Sequence, residues 1–193
     1  MLTKPKILAF AGSTRINSYN KKLVKIASTG ATEAGADVTV IDLRDFPMPI
    51  YDGDLEQKDG LPSNARKLKD LMLSHQGFLI SSPEYNSSIS AVFKNTIDWA
   101  SRPSEGEIPL ACFKNKVAGI MSTSPGMLGG LRGLVHVRSI LGNIGVIVMP
   151  DQIAIAKAHE AFNEDDSLKD KKQEDQVKKI GANVAKILLK LNG

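Results

Sequence analysis

The chain reads as an α/β protein on a doubly wound parallel sheet. Five short apolar runs alternate with amphipathic helical stripes along its 193 residues. The stretch from Lys6 to Leu43 is strand, turn, helix, strand, a βαβ unit that starts a parallel sheet. Loops rich in small and hydroxyl residues follow the first, third and fourth runs, where an open α/β sheet keeps its ligands.

Lys6 to Ala11 is a buried strand that ends at Gly12. In the turn and helix start that follow, Ser13, Thr14, Arg15, Ser18 and Asn20 can all donate hydrogen bonds. The next helix points free N–H groups and partial positive charge at the same spot. That donor set suits a phosphate; a structural turn capped by Ser18 or Asn20 accounts for the same residues equally well. Neither G-x-x-x-x-G-K-[ST] nor G-x-G-x-x-G is present, and Thr14 stands where the latter needs glycine. Side chains would hold the anion, which fits a terminal monophosphate better than a bridging pyrophosphate.

Leu23, Ile26, Ala27, Ala31 and Ala34 form one helical face, ended by Gly35. Val38 to Leu43 is the second strand. Arg44 to Ser63, rich in Pro, Asp and Gly, reads as a long surface connection. Pro62-Ser63 opens a helix with Ala65, Leu68, Leu71 and Met72 on its apolar side. Phe78 to Ser81 is the third strand, and Pro83 stops it. The loop from Ser82 to Ser88 offers one ring, Tyr85, with amide and backbone donors, as a flat hydrogen-bonding heterocycle requires. Ile89, Val92, Phe93, Thr96, Ile97 and Ala100 form the next stripe, broken at Ser101-Arg102-Pro103. Glu105 to Leu110 is a connection. Val117 to Ser122 is the fourth strand, and the loop from Ser122 to Gly130 lets backbone approach a ligand or simply turns the chain. Gly145 to Met149 is the fifth strand, ending at Pro150. Asn163 to Gln176 is a charge run, a solvated loop and first helix turns. Val177, Ile180, Val184, Ile187, Leu188 and Leu191 form the last stripe.

With 42% hydrophobic and 24% charged residues, the chain is an ordinary globular protein of one domain over residues 1–193. A net charge of +4 leaves room for an anionic ligand, is too mild for nucleic acid, and speaks against an acidic electron carrier. Cys112 is the single cysteine. It excludes an internal disulfide, points to a reducing compartment, and lies in no catalytic signature. No apolar run approaches membrane-spanning length, and Ile7 to Gly12 is too short for a signal segment, so a cytoplasmic location is expected. His75, His136 and His159 lack metal-ligand spacing, so no metal is expected.

Gly12-Ser13-x-Arg15-x-x-Ser18-x-Asn20, Pro83-Glu84-Tyr85-Asn86-x-Ser88 and Lys94-Asn95-x-x-Asp98-Trp99, in that order, resemble the NAD(P)H-dependent FMN reductase family. This flavodoxin-like group includes quinone, chromate and some azo reductases, and the resemblance covers nearly the whole chain. It implies strand order 2-1-3-4-5 with FMN at the switch point. It implies that Ser13, Arg15, Ser18 and Asn20 hold the FMN phosphate. Pro83, Glu84, Tyr85 and Asn86 would line the isoalloxazine ring, largely through backbone. Ser122, Ser124 and Gly126 would meet its pyrimidine edge. Asn95 and Asp98-Trp99 match a structural helix signature with roles in packing and subunit contact. Arg132 and Arg138 match arginines the family often carries. Ser90-Ala91 stand where the family usually has Pro-Gly, Phe93 where Leu is common, and Gly133-Leu134 where Ala-Gln commonly follows the first arginine.

The implied reaction has two halves. NADPH or NADH gives hydride to flavin N5, and a small acceptor (quinone, free flavin, azo compound or metal oxyanion) then takes the electrons at the same face. No catalytic side chain is required or assigned. Arg102 is a candidate for a nucleotide phosphate, or a surface charge at a helix end. A homodimer or homotetramer is implied, with no nucleic-acid or membrane partner. Two rival classes are a flavodoxin-type carrier serving protein partners, against which the basic balance speaks, and a flavin-free binding module, against which the donor set from Ser13 to Asn20 speaks.

Overall fold

Five parallel strands pair in the order β2-β1-β3-β4-β5: β1 (Lys6–Ala11), β2 (Asp37–Ile41), β3 (Gly77–Ser81), β4 (Val117–Thr123) and β5 (Ile147–Ile155). The computed structural model describes residues 3–104 and 106–191. Glu105, at the head of the Glu105–Leu110 connection, lies outside the described residues. The central strands β3 and β4 are buried throughout, which is why both read as unbroken small and apolar runs.

One face of the sheet carries α1 (Tyr19–Glu33) and α7 (Lys171–Leu191), whose Leu23, Ala27, Val177 and Val184 are fully buried. These two helices meet backbone to backbone. A Cβ on Gly30 would lie 2.1 Å from Lys178 O, and one on Gly181 would lie 1.9 Å from Ala27 O. Any side chain at either position would push the pair apart. The other face carries α3 (Ser63–Ser74), α4 (Ala91–Ser101) and α5 (Leu131–Asn143). Their Leu68, Phe93, Ile97, Leu134 and Leu141 fill the second core layer.

The second strand stops at Ile41, because Leu43–Asp45 closes a 3-10 turn capped by the Asp42 side chain, and two further elements depart from the sequence reading. The Arg44–Ser63 connection contains a helix, α2 (Gly53–Asp59), whose N-terminus is capped by the Asp52 side chain accepting from Asp54 N. It buries no residue, so it leaves no apolar period to read. The connection is strapped onto α4. Pro49 O accepts from Asn95 Nδ2 at 2.9 Å and from Trp99 Nε1 at 2.8 Å, and Asn95 Oδ1 accepts from Tyr51 N at 2.8 Å. The helix signature on α4 thus anchors the strap.

β5 does not stop at Pro150 but continues to Ile155. Its register with β4 jumps from Ala118↔Val148 to Ile120↔Gln152, so Pro150 sits in a bulge on a strand at the sheet margin, where a missing N–H is tolerated. Arg138 on α5 donates to the bulge's Met149 O at 2.9 Å and to Gln152 Oε1 at 3.0 Å. The chain closes through α6 (Ala158–Ala161) and α7, which begins at Lys171 within the charge run.

Candidate active site

Because the sheet is parallel, the segments after β1, β3 and β4 leave from one edge, and hydrogen bonds lock them together. Gly12 N donates to Ser81 O and Ser82 N donates to Met121 O, each at 2.9 Å. Asn20 is the central clamp. Its Nδ2 donates to Thr123 O at 2.9 Å, and its Oδ1 accepts from Ser81 Oγ at 2.8 Å and Thr123 N at 3.1 Å. Ser90 caps α4 by accepting from Phe93 N and also donates to Gly12 O at 2.5 Å. Ser90 therefore ties the first loop to α4.

The loop after β1 keeps its donors free. Ser13 Oγ accepts from Arg15 N at 3.3 Å, and Ser13 and Ser18 are 3% and 4% exposed. Among the described residues, no protein acceptor takes the N–H groups of Thr14, Ile16 or Asn17. Ser18 precedes α1 but its side chain makes no capping bond. Arg15 is exposed. The carboxylates Asp42 and Glu84 at this edge are paired with Lys21 and Arg132. The result is an electropositive, donor-rich nest. Its chemistry, hydroxyls with backbone N–H groups and a guanidinium, fits a phosphate dianion.

The loop after β3 folds into a tight reverse turn. Tyr85 and Ser88 exchange both backbone bonds, at 2.9 and 3.1 Å, and Asn86 and Ser87 between them have φ of 51° and 66°. Two successive left-handed residues without glycine are costly, and such strain concentrates where a backbone is held for a purpose. The turn presents the Tyr85 ring, which is 50% exposed.

The start of α5 holds this turn from beneath. Glu84 accepts from Arg132 Nε at 2.8 Å and from Gly133 N at 3.2 Å. Burial by itself would raise the Glu84 carboxyl, but these donors outweigh it and hold it below its ordinary value. His136 Nδ1 lies 2.8 Å from Ser88 Oγ. The Glu84 carboxylate is therefore turned into α5, and only its backbone is left for a ligand. The Pro83 side of the turn is likewise buried. His136 was not among the expected site residues, since a lone exposed histidine on a helix gives no signal in sequence.

The loop after β4 divides the three expected residues. Ser124 and Gly126 lie on it, tied to the segment after β5 by Ala158 N donating to Ser124 O at 3.0 Å and Lys157 N donating to Gly126 O at 3.2 Å. Ser122 instead belongs to β4, has no exposed surface, and lies under Gly130. Its Oγ is the one buried side-chain polar atom without a partner among the described residues. A Cβ on Gly130, whose φ is 91°, would come within 1.9 Å of that Oγ. Ser122 is the floor of this loop and not part of its exposed rim.

Arg102 is committed elsewhere. Its Nε donates to Glu56 Oε1 at 2.9 Å, and its guanidinium lies 5.5 Å over the Tyr51 ring, whose hydroxyl donates to Glu56 Oε2 at 2.9 Å. The Arg102 bond holds the Glu56 carboxyl below its ordinary value. Arg102 thus bolts α2 to the end of α4. Cys112 is buried, and burial pushes its thiol up to about 11, which agrees with a packing role. Among the described residues there is no cluster able to hold a metal, and no helix is long and apolar enough to cross a membrane.

Comparison with known proteins places this architecture. Residues 5–160 match the family model for NADPH-dependent FMN reductase. A probable NADPH:quinone oxidoreductase 2 of Oryza sativa subsp. japonica is 32% identical over 198 residues, covering 99% of this chain and 94% of the relative. A quinone reductase of Escherichia coli K12 is 34% identical over 153 residues, 77% of this chain and 76% of that one. Among solved structures, the flavoenzyme NAD(P)H:(acceptor) oxidoreductase FerB of Paracoccus denitrificans superposes with a TM-score of 0.79 at 28% identity, over 98% of this chain and 99% of that one. A flavodoxin from the domain Archaea, at 13% identity and a TM-score of 0.61, shares the fold. The chain belongs to the NADPH-dependent FMN reductase family and is an NAD(P)H-dependent flavin oxidoreductase.

Proposed function

We propose that residues 1–193 form one FMN-binding domain that passes electrons from NADPH or NADH to a small acceptor, for which the quinone reductase relatives support a quinone. The observation that carries the reading is the loop after β1, where buried hydroxyls, unpartnered N–H groups and an exposed guanidinium converge at a helix N-terminus. These residues fit FMN, whose terminal phosphate needs many donors and no metal.

Ser13, Arg15 and Ser18 hold the phosphate. Asn20 acts as a positioning residue, fixing the loop to β3 and β4. Pro83, Glu84 and Asn86 offer backbone to the ring's edge, and Tyr85 flanks its face. Ser124 and Gly126 border the opposite edge, with Ser122 supporting them. When bound, FMN supplies the hydride-accepting chemistry that side chains lack. The protein binds and orients the two reactants in turn, and needs no side-chain acid or base.

The exposed Met127, Leu128, Leu131 and Val135 around the start of α5 give an apolar face for a homo-oligomer. The lone buried cysteine agrees with a cytoplasmic setting. The test is the visible spectrum of the purified protein with added FMN, followed by NADPH or NADH without oxygen. A bound-flavin spectrum that bleaches supports the reading. Flavin that binds but does not bleach with either nucleotide indicates an electron carrier, and no bound flavin rejects the site.

A further inference from the structure

We propose that the cleft between α1 and the tip of β2 takes the adenosine-ribose end of the nicotinamide dinucleotide, and that the Lys21–Asp42 pair reads its 2′ position; this rests on the reductase reading above. The cleft has a volume of about 540 Å³, within the range of ~300–1,000 Å³ usual for small-molecule sites. It opens on the β2 side of the phosphate loop and shares Ser18 with it.

Its walls have two kinds of chemistry. Ile16 and Val40 line it while 73% and 45% exposed, which offers apolar cover to a planar base. Asp42 is held at the strand tip from both sides. Its Oδ2 meets Lys21 Nζ at 2.5 Å, and its Oδ1 accepts from Arg44 N at 3.0 Å.

Position gives these residues their meaning. In a βαβ nucleotide-binding unit, an acid at the end of the second strand accepts from ribose hydroxyls, while a 2′-phosphate calls for a cation there. Here acid and cation stand together as one pair. A second pair, Lys22 with Asp166 at 2.5 Å, also lines the cleft. The charges are therefore balanced. Such a cleft suits a polyhydroxylated group joined to a base more than a bare inorganic anion.

The test titrates the FMN-loaded protein calorimetrically with ADP-ribose and with its 2′-phosphorylated form. Both lack nicotinamide and cannot reduce the flavin. Both are expected to bind the wild type. Asp42→Asn still accepts from Arg44 N but frees Lys21. Its Kd for the 2′-phosphorylated probe, relative to ADP-ribose, is expected to fall at least about tenfold, the scale of one charge-assisted hydrogen bond. Lys25→Glu, on the exposed rim and outside the capping bonds, is expected to weaken both probes. Wild-type protein that binds neither probe, or an Asp42→Asn ratio equal to the wild type's, overturns the proposal. Flavin bleaching by NADPH in a protein that binds neither probe rejects this site alone. Probe binding without bleaching by either nucleotide rejects the reductase reading alone.

Discussion

Asn20 and Thr123 stand 103 positions apart and exchange two hydrogen bonds, Asn20 Nδ2 to Thr123 O at 2.9 Å and Thr123 N to Asn20 Oδ1 at 3.1 Å. With Ser81 Oγ on the same amide oxygen, one buried side chain ties the start of α1 to the ends of two strands, β3 and β4. Asn20→Ala would leave the Thr123 N–H and the Ser81 hydroxyl without partners. A stability loss of about 2–4 kcal/mol is expected by urea unfolding, since each buried unsatisfied group costs roughly 1–3 kcal/mol. A change within about 0.5 kcal/mol, as for an ordinary surface substitution, would show that the clamp is not structural.

Arg15→Ala tests the phosphate loop directly. The side chain is exposed, so the fold is expected to keep its wild-type unfolding midpoint. FMN affinity should drop by roughly 1.5–3 kcal/mol, the worth of a charge-assisted contact. Equal Kd values in fluorescence titrations of the two proteins would remove Arg15 from the site.

Tyr85→Ala removes a half-exposed ring from a turn that is closed by backbone bonds. The turn and the fold should persist. FMN affinity, or the rate of reoxidation by a quinone, should change. If stopped-flow reoxidation and flavin titration both match the wild type, Tyr85 does not flank the ring.

The acid limb of stability should report on Glu107. Burial would raise this carboxyl, but hydrogen bonds from Lys69 at 2.6 Å and Arg66 at 2.8 Å, with Ser104 N, hold it at about 2. A carboxyl depressed in the folded state stabilises above its unfolded value and loses that contribution as pH falls toward its folded value. Stability is therefore expected to decline between pH 4.5 and about 2. Glu107→Gln should flatten that decline. It should also cost about 3 kcal/mol near neutrality, because Lys69, whose side chain is 1% exposed, loses its only ion-pair partner among the described residues. Urea midpoints measured across that pH range decide it; parallel curves for the two proteins would discount the pair.

Much of this was legible in the sequence. β1 and α1 were read correctly because a continuous apolar run and a one-faced stripe are local signals. The strand order followed from the family resemblance, and the structure has it. Less visible was what depends on distant partners. Asn20 has the right chemistry for a phosphate ligand, and nothing near it in sequence shows that its amide is engaged by Ser81 and Thr123. Ser122 sits at the boundary of strand and loop, and only the packing of Gly130 above it decides that it is floor. α2 escaped because a helix that buries nothing carries no apolar period. Arg102 kept two readings because its partner, Glu56, lies on that unseen helix.

The kink at Pro150 has a bearing on solubility. β5 forms one margin of the sheet, and a sheet margin is a ready template for a strand from another molecule. Such templating needs an unbroken row of donors and acceptors. Here proline removes a donor midway, the register slips beside it, and Arg138 already engages carbonyls of the kink. The break shortens the regular run open to stacking on either side of it. The irregularity that obscured the strand in the sequence thus guards this margin against fibril-like growth.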